Sequence, residues 1–155
     1  MGLKDLSAQE LEGKFENFIF HIDDYLEDFI ERADEQGYDL DYSIRSLSDL
    51  EDYLTKNKID QDSDDVNDAA AYFGEVVRTS YGGNWICSLD KEHNSLYYGK
   101  PVITGHTESK DLQLSPFDSV LTFFIRPREN HFFKVLKNHI DPKELDLDKF
   151  PTEKG

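Results

Sequence analysis

The sequence predicts a single α+β domain that is mainly helical, with a small antiparallel sheet of two or three strands in the middle of the chain. Apolar residues recur every three or four positions over most of its length, whereas residues 84–104 have strand composition. The chain contains no internal repeat, linker or low-complexity stretch. With 155 residues and a hydrophobic content of 37%, it is large enough to bury one core. We expect this domain to span residues 1–142 and residues 143–155 to form a polar, flexible tail.

The first predicted helix begins at Ser7 and ends near Gly37. Ser7 and Glu10 have the spacing of a capping box, and glycine is common just beyond a helix C-terminus. Gly13 is a position at which this helix could bend or break. The face expected to be buried is apolar at helical spacing: Phe15, Phe18, Ile19, Ile22, Leu26, Phe29, Ile30 and Ala33. The opposite face is acidic and carries Asp23, Asp24, Glu27, Asp28, Glu31, Asp34 and Glu35, opposed by Arg32 alone.

Two shorter elements are predicted after this helix. Residues 38–42 alternate apolar and acidic side chains, which indicates a short half-buried strand or extended segment. A second helix, capped by Ser46 or Ser48, is predicted from leucines on one side, at Leu47, Leu50 and Leu54. Residues 56–65 are polar and acidic, which is typical of a surface loop.

A third helix is predicted from about Ser63 to Ser80. Its expected buried stripe consists of Val66, Ala69, Ala70, Phe73, Val76 and Val77. Gly74 in the interior of this helix lowers helix stability by about 1 kcal/mol relative to alanine. The close approach of another backbone would explain why a glycine is present there. Glu75 and Arg78 stand three residues apart, so they are candidates for an ion pair.

The hydrophobic period changes after the third helix and becomes helical again near the end of the chain. Residues 84–89 and 95–104 have strand composition and are separated by a turn-rich segment. Pro116 suits the first turn of a fourth helix, which residues 126–128 should break. Apolar residues up to Ile140 then predict a fifth helix.

The net charge of −16 comes almost entirely from the first part of the chain. Residues 1–68 contain 21 acidic and 6 basic residues, whereas residues 69–155 contain 12 acidic and 11 basic residues. Such an excess of acids repels the phosphates of nucleic acids and anionic membranes, so it excludes both as direct partners. We expect a basic protein partner that contacts the acidic helical half, residues 1–68, rather than the near-neutral half, residues 69–142.

The sequence also predicts a cytoplasmic location. No apolar segment approaches the roughly 20 residues of a membrane span, and the N-terminus lacks the apolar stretch of a signal peptide. The single Cys87 excludes an internal disulfide, which is typical of a reducing compartment.

No motif predicts a metal or cofactor site. Asp60, Asp62 and Asp64 are spaced like the start of a calcium-binding loop. Such a loop needs a glycine at its sixth position and a glutamate at its twelfth, and those positions hold Asp65 and Ala71. An acidic loop that favours the following helix N-terminus is therefore the preferred interpretation.

The sequence leaves one enzymatic alternative open. In this alternative Cys87 acts as a nucleophile assisted by His93 or His106, in a cleft close to Trp85. Because a small strand residue beside a tryptophan is more often a core residue, we expect no catalytic residues in this protein.

Four segments of the second half carry a resemblance to known proteins. They are residues 70–78 (AAYFGEVVR), 81–85 (YGGNW), 99–103 (GKPVI) and 115–117 (SPF). In this order they resemble a group of small bacterial cytoplasmic proteins of unknown function, some of which are similar to the immunity proteins of polymorphic or contact-dependent toxin systems. The resemblance covers roughly residues 65–140, does not include the acidic helix, and implies a non-enzymatic toxin-binding role.

The charge pattern and the resemblance together favour an immunity protein that occludes a basic toxin domain such as a nuclease. An acidic, rigid surface would accelerate association and complement a basic cleft. The predicted partner-binding residues are Asp23, Asp24, Glu27, Asp28, Glu31 and Glu35 on the first helix and Asp60, Asp62, Asp64 and Asp65 in the loop. Candidate aromatic anchors are Tyr25, Tyr38, Tyr42 and Tyr53. The alternatives are a DNA-mimicking inhibitor of a nucleic-acid-binding protein and a small hydrolase or modifying enzyme.

Overall fold

The computed structural model describes residues 7–59, 63, 65–89, 100–106 and 113–139. Within these ranges the helices are α1 (Ala8–Glu35), α2 (Ser46–Lys56), α3 (Asp65–Tyr81), α4 (Pro116–Ile125) and α5 (His131–His139), and the strands are β1 (Asn84–Cys87) and β2 (Pro101–Thr104). This order confirms the predicted α+β class, with helices predominating and a small antiparallel sheet in the middle of the chain. No described helix is both long enough and apolar enough to cross a membrane.

The 28-residue helix α1 has both of its ends fixed by local sequence. Ser7 Oγ accepts a hydrogen bond from the Glu10 N–H at 3.1 Å, and the Glu10 carboxylate accepts one from the Ser7 N–H at 3.3 Å, which completes the predicted capping box. Beyond the C-terminus, Gly37 adopts a φ of +87° and its N–H donates to the Asp34 carbonyl at 2.9 Å. The helix continues through Gly13, so the break considered there does not occur.

Helix α3 lies at the centre of the core and packs against α1 and α4. Its side chains Ala69, Ala70 and Ala71 are fully buried, and their small size allows the neighbouring helices to approach closely. The rings of Phe73 and Phe132, whose centroids are 4.8 Å apart, connect α3 to α5. The predicted third helix is therefore confirmed, and it packs against α1, α4 and β2.

The start of α2 differs from the prediction that Ser46 or Ser48 caps it. The N-cap position is Arg45, which makes no side-chain capping bond, and Ser46 is already the first helical residue. The Ser46 hydroxyl instead bonds the Tyr72 hydroxyl at 2.6 Å inside the core. The Ser46 hydroxyl thus supplies the polar partner that the buried phenol needs, and the Ser46 N–H donates to Ser43 Oγ at 3.2 Å.

Residues 38–42 form no strand. Tyr42 adopts a φ of +68°, in the left-handed region, and its N–H donates to the Tyr72 hydroxyl at 2.9 Å. The rings of Tyr42 and Tyr72 stack with centroids 5.3 Å apart, and Leu40 is buried. Residues 38–42 therefore form a loop that contacts α3 through Tyr42 and Tyr72, and not the half-buried strand or extended segment that the alternation predicts.

Strands β1 and β2 pair in antiparallel register, with Trp85 opposite Ile103 and Cys87 opposite Pro101. Leu114 adds an isolated bridge to Ile103 through two backbone hydrogen bonds of 2.8 and 3.0 Å. Residues 95–99, the first half of the second predicted strand, lie outside the described residues. The pairing confirms a small antiparallel sheet and places Trp85 against α3.

Gly74 of α3 is required by a side chain and not, as the sequence suggested, by a neighbouring backbone. A Cβ at this position would overlap Cζ2 and Cη2 of the Trp85 indole and lie 3.2 Å from its Cε2. The indole Nε1 donates to the Glu75 carboxylate at 2.9 Å, and Arg78 donates to the same carboxylate at 2.8 Å, which confirms the predicted ion pair. Phe18 of α1 packs edge-on against the Trp85 ring at a centroid distance of 5.3 Å.

The N-terminus of α5 is capped by Glu51 from α2. The buried Glu51 carboxylate accepts hydrogen bonds from the backbone N–H groups of His131 at 3.2 Å and Phe132 at 3.4 Å. Burial raises the pKa of Glu51 from 4.5 to about 7, although the two N–H groups act in the opposite direction. Arg128 Nε donates to His131 Nδ1 at 3.0 Å, so His131 Nε2 carries the proton and donates to the Ser119 carbonyl at 2.7 Å. Burial lowers the pKa of His131, which keeps the imidazole neutral.

Candidate protein-docking surface

The six α1 acids predicted to bind a partner are exposed on one side of the helix, and we name this set the acidic face. Its members are Asp23, Asp24, Glu27, Asp28, Glu31 and Glu35. The opposite side of α1 is held in the core by Ile22, Leu26, Phe29 and Ala33. Because a helix rises 1.5 Å per residue, the acidic face extends over about 18 Å. The burial of one side therefore fixes a rigid row of carboxylates on the other.

Arg32 connects α1 to the beginning of α3. Its guanidinium donates to Asp28 at 3.0 Å, to Asp65 at 2.5 Å and to Asp68 at 2.8 Å. Partial burial disfavours the charged guanidinium, but the hydrogen bond and charge of Asp65 outweigh it and raise the pKa of Arg32. Since three carboxylates share one cation, the burial of Asp68 is incompletely compensated, and its pKa rises from 3.8 to about 6. Asp28 and Asp65, two predicted partner-binding residues, are thus engaged in an internal ion-pair network.

A groove between α1 and the start of α3 brings three of the predicted acids together. Its volume is about 770 Å³, and its lining residues are Asp24, Tyr25, Asp28, Arg32, Ser63, Asp65, Asn67 and Asp68. We name it the acidic groove. Asp23, Glu27, Glu31 and Glu35 do not line this groove and lie along α1 beside it. The loop acids Asp60, Asp62 and Asp64 lie outside the described residues.

Phe20 is an exposed aromatic residue on the acidic face that the sequence analysis did not single out. Its side chain is 81% exposed, the largest fraction of any large hydrophobic residue in the described part of the chain. Asp23, Asp24 and Glu27 follow it at helical spacings of three, four and seven residues. The sequence indicates this exposure through the position of Phe20 in the helix. Phe20 lies outside the apolar stripe of α1, so it faces solvent when the stripe is buried.

The tyrosines considered as anchors are mainly occupied in packing. Tyr53 is only 3% exposed, and Tyr38 packs edge-on against it with ring centroids 6.0 Å apart. Tyr42 stacks on the buried Tyr72. Tyr25 is half-buried and lines the acidic groove. Of the four candidates, Tyr53 is therefore a core residue, and Tyr25 is the one beside the acidic face.

The enzymatic alternative lacks supporting geometry in the described residues. Cys87 lies at one end of the strand pair, whereas His106 follows Thr104 at the other end, opposite Asn84. Asn84 and Cys87 are three residue steps apart along β1, a distance of about 10 Å. Burial and the charge of Glu12 raise the pKa of the Cys87 thiol, which disfavours the nucleophilic thiolate. His93 lies outside the described residues.

The described ranges contain no group of three or more His, Cys, Asp or Glu side chains placed to hold a metal ion. In the acidic groove, Arg32 already supplies the positive charge between Asp28, Asp65 and Asp68. What this surface offers is a row of exposed carboxylates, a groove and an exposed phenylalanine, a combination suited to recognition of a basic protein. Comparison of the chain with family models, curated proteins and solved structures found no match in any of the three.

Proposed function

We propose that this is a non-enzymatic cytoplasmic binding protein that acts as an immunity protein, using the acidic face of α1 to occlude a basic toxin domain. The observation that carries the proposal is the row of six exposed carboxylates with Phe20 among them on one rigid helix. Residues 70–78 and 81–85, two of the segments on which the resemblance rests, lie in α3 and at the beginning of β1, and both of these elements contact α1.

The carboxylates and Phe20 have different energetic roles in this proposal. Exposed charges contribute little to affinity individually, because water and salt screen them. Arranged on one face, they accelerate encounter with a basic surface by roughly 10- to 1,000-fold. Burial of a phenylalanine side chain in a partner's pocket contributes about 1.5–3 kcal/mol and slows dissociation. The acidic face thus governs the association rate, and Phe20 governs the lifetime of the complex.

The proposal predicts that an adjacent open reading frame encodes the toxin domain. The test uses that domain and compares two variants of equal net charge. The acidic-face variant carries Asp23→Asn, Asp24→Asn, Glu27→Gln and Glu31→Gln. The control variant neutralises four exposed acids elsewhere, with Glu12→Gln, Glu16→Gln, Asp52→Asn and Glu129→Gln. Association rates are measured by stopped flow at several ionic strengths, and protection is measured as survival of cells that express the toxin domain.

We expect the acidic-face variant to associate about tenfold or more slowly at low ionic strength and to lose most of its salt dependence. The control should stay close to the wild type. Equal slowing of the two variants would mean that net charge, and not this face, steers binding. Unchanged protection and rate in the acidic-face variant would refute the proposal. Competition between duplex DNA and the protein for one partner would favour the DNA-mimicry alternative.

A further inference from the structure

A second concave feature lies on the side of α1 that turns toward β2 and α4. It is a cleft of about 510 Å³ lined by Lys14, Phe15, Asn17, Phe18, Tyr25, Asn67, Lys100, Pro101, Phe117 and Leu121, and we name it the apolar cleft. Its volume lies within the range of about 300–1,000 Å³ that small-molecule sites occupy. Tyr25 and Asn67 also line the acidic groove, so they form the boundary between the two depressions.

The wall of the apolar cleft consists of side chains that the core leaves partly uncovered. Phe15, Phe18, Pro101, Phe117 and Leu121 are all half-buried. The rings of Phe18 and Phe117 meet edge to face with centroids 5.4 Å apart. Exposure of apolar surface to water is unfavourable. An apolar ligand that covered these side chains would therefore be stabilised by the hydrophobic effect.

Two lysines lie at the polar rim of the cleft, although the chain carries 33 acidic and 17 basic residues. Among the residues that the structure describes, the lining includes Lys14 and Lys100 but no aspartate or glutamate. Lys100 donates to Asp118 at 2.7 Å, whereas the Lys14 side chain is exposed at the rim. Asn17 and Asn67 add amide groups that can donate hydrogen bonds to an anion. Because Asp118 balances the charge of Lys100, the cation that the described rim exposes beside the apolar wall is Lys14.

We propose that the apolar cleft binds a small amphipathic organic anion, a carboxylate joined to an aliphatic or aryl body. The body lies on Phe18, Phe117 and Leu121, and the carboxylate lies at the rim beside Lys14. This site is separate from the acidic face, because Lys14, Phe18 and Tyr25 occupy a different side of α1 from Phe20, Asp24 and Glu27. It does not depend on the proposed toxin-binding function.

The test compares three probes that share an eight-carbon chain and differ in charge: octanoate, 1-octanol and octylamine. Trp85 is the single tryptophan of the chain and packs on Phe18, so its fluorescence reports on the wall of the cleft. Methyl resonances of Leu121 in a ¹³C-labelled sample give a second, local readout. We expect octanoate to perturb both signals saturably and to bind more tightly than 1-octanol and octylamine.

Two charge reversals at exposed lysines make the assignment specific. Lys14→Glu should weaken octanoate binding about tenfold, whereas Lys58→Glu, beyond the end of α2 and outside the cleft, should leave it unchanged. Thermal melts of both variants establish that they fold like the wild type. The proposal is overturned if octanoate causes no saturable change in either signal, if octylamine binds as tightly as octanoate, or if both lysine variants weaken binding equally.

Discussion

Substitution of Gly74 by alanine tests the central packing contact between α3 and the sheet. In an isolated helix this change is favourable by about 1 kcal/mol, because glycine loses more conformational freedom than alanine on folding. In this protein the added methyl group would overlap the Trp85 ring, which is also held by Glu75 and by Phe18. The local and tertiary effects therefore have opposite signs.

The tertiary effect should be the larger one. Forcing a methyl group into a well-packed contact costs about 1–3 kcal/mol. Displacement of the indole also weakens its hydrogen bond to the Glu75 carboxylate, at a cost of about 1 kcal/mol. After subtraction of the helix-propensity gain, we expect Gly74→Ala to lower the free energy of unfolding by about 2 kcal/mol. For a chain of 155 residues this corresponds to a fall in Tm of roughly 4–8 °C.

The assay combines thermal and urea unfolding with the emission spectrum of Trp85. Gly13→Ala is the matched control, because Gly13 also lies inside a helix and a Cβ there would meet no atom within 4 Å. We expect Gly13→Ala to stabilise the protein by up to about 1 kcal/mol without changing Trp85 emission. The reasoning would be refuted if Gly74→Ala stabilised the protein like Gly13→Ala and left the emission spectrum unchanged.

Two further predictions concern the buried charges. Because the pKa of Glu51 is raised from 4.5 to about 7, the folded state binds this proton more tightly than the unfolded state. The free energy of unfolding therefore falls as pH rises through this interval, by at most about 3 kcal/mol. Glu51→Gln should flatten this decline in urea titrations between pH 4.5 and 7.5, and an unchanged slope would contradict the assignment. Arg32→Gln leaves Asp65 and Asp68 without their shared cation and should cost about 1–2 kcal/mol at pH 7, a value discounted for partial exposure. The cost should be smaller at pH 5, below the pKa of about 6 for Asp68, and a cost independent of pH would argue against the network.

The sequence predicted those elements whose formation depends on residues a few positions apart. The Ser7–Glu10 capping box, the glycine at 37 and the proline at 116 all act within about one helical turn. The acidic face could be predicted for the same reason, since the periodicity that buries one side of α1 also defines the other. Phe20 could have been found by this rule as well, from its place outside the apolar stripe.

The predictions for Ser46 and for residues 38–42 were wrong because contacts with a residue distant in sequence outweigh the local sequence pattern. Ser46 has the chemistry of a helix cap, yet its hydroxyl bonds Tyr72, which is 26 residues away. Residues 38–42 alternate like a strand, yet the same Tyr72 holds Tyr42 in a left-handed conformation. A buried phenol needs hydrogen-bond partners, and only the packed structure determines which groups supply them.

The sequence by itself determined the class of fold, the limits of most helices and the uneven distribution of charge, because amphipathic periodicity, capping and net charge are local or additive properties. The tertiary structure decided which charges are available to a partner. Arg32 is 33 and 36 residues from Asp65 and Asp68, and Glu51 is 80 residues from His131. It also formed the apolar cleft, since its walls come from α1, α3, β2 and α4. These arrangements depend on how helix faces pack against one another, and packing involves residues that no local pattern connects.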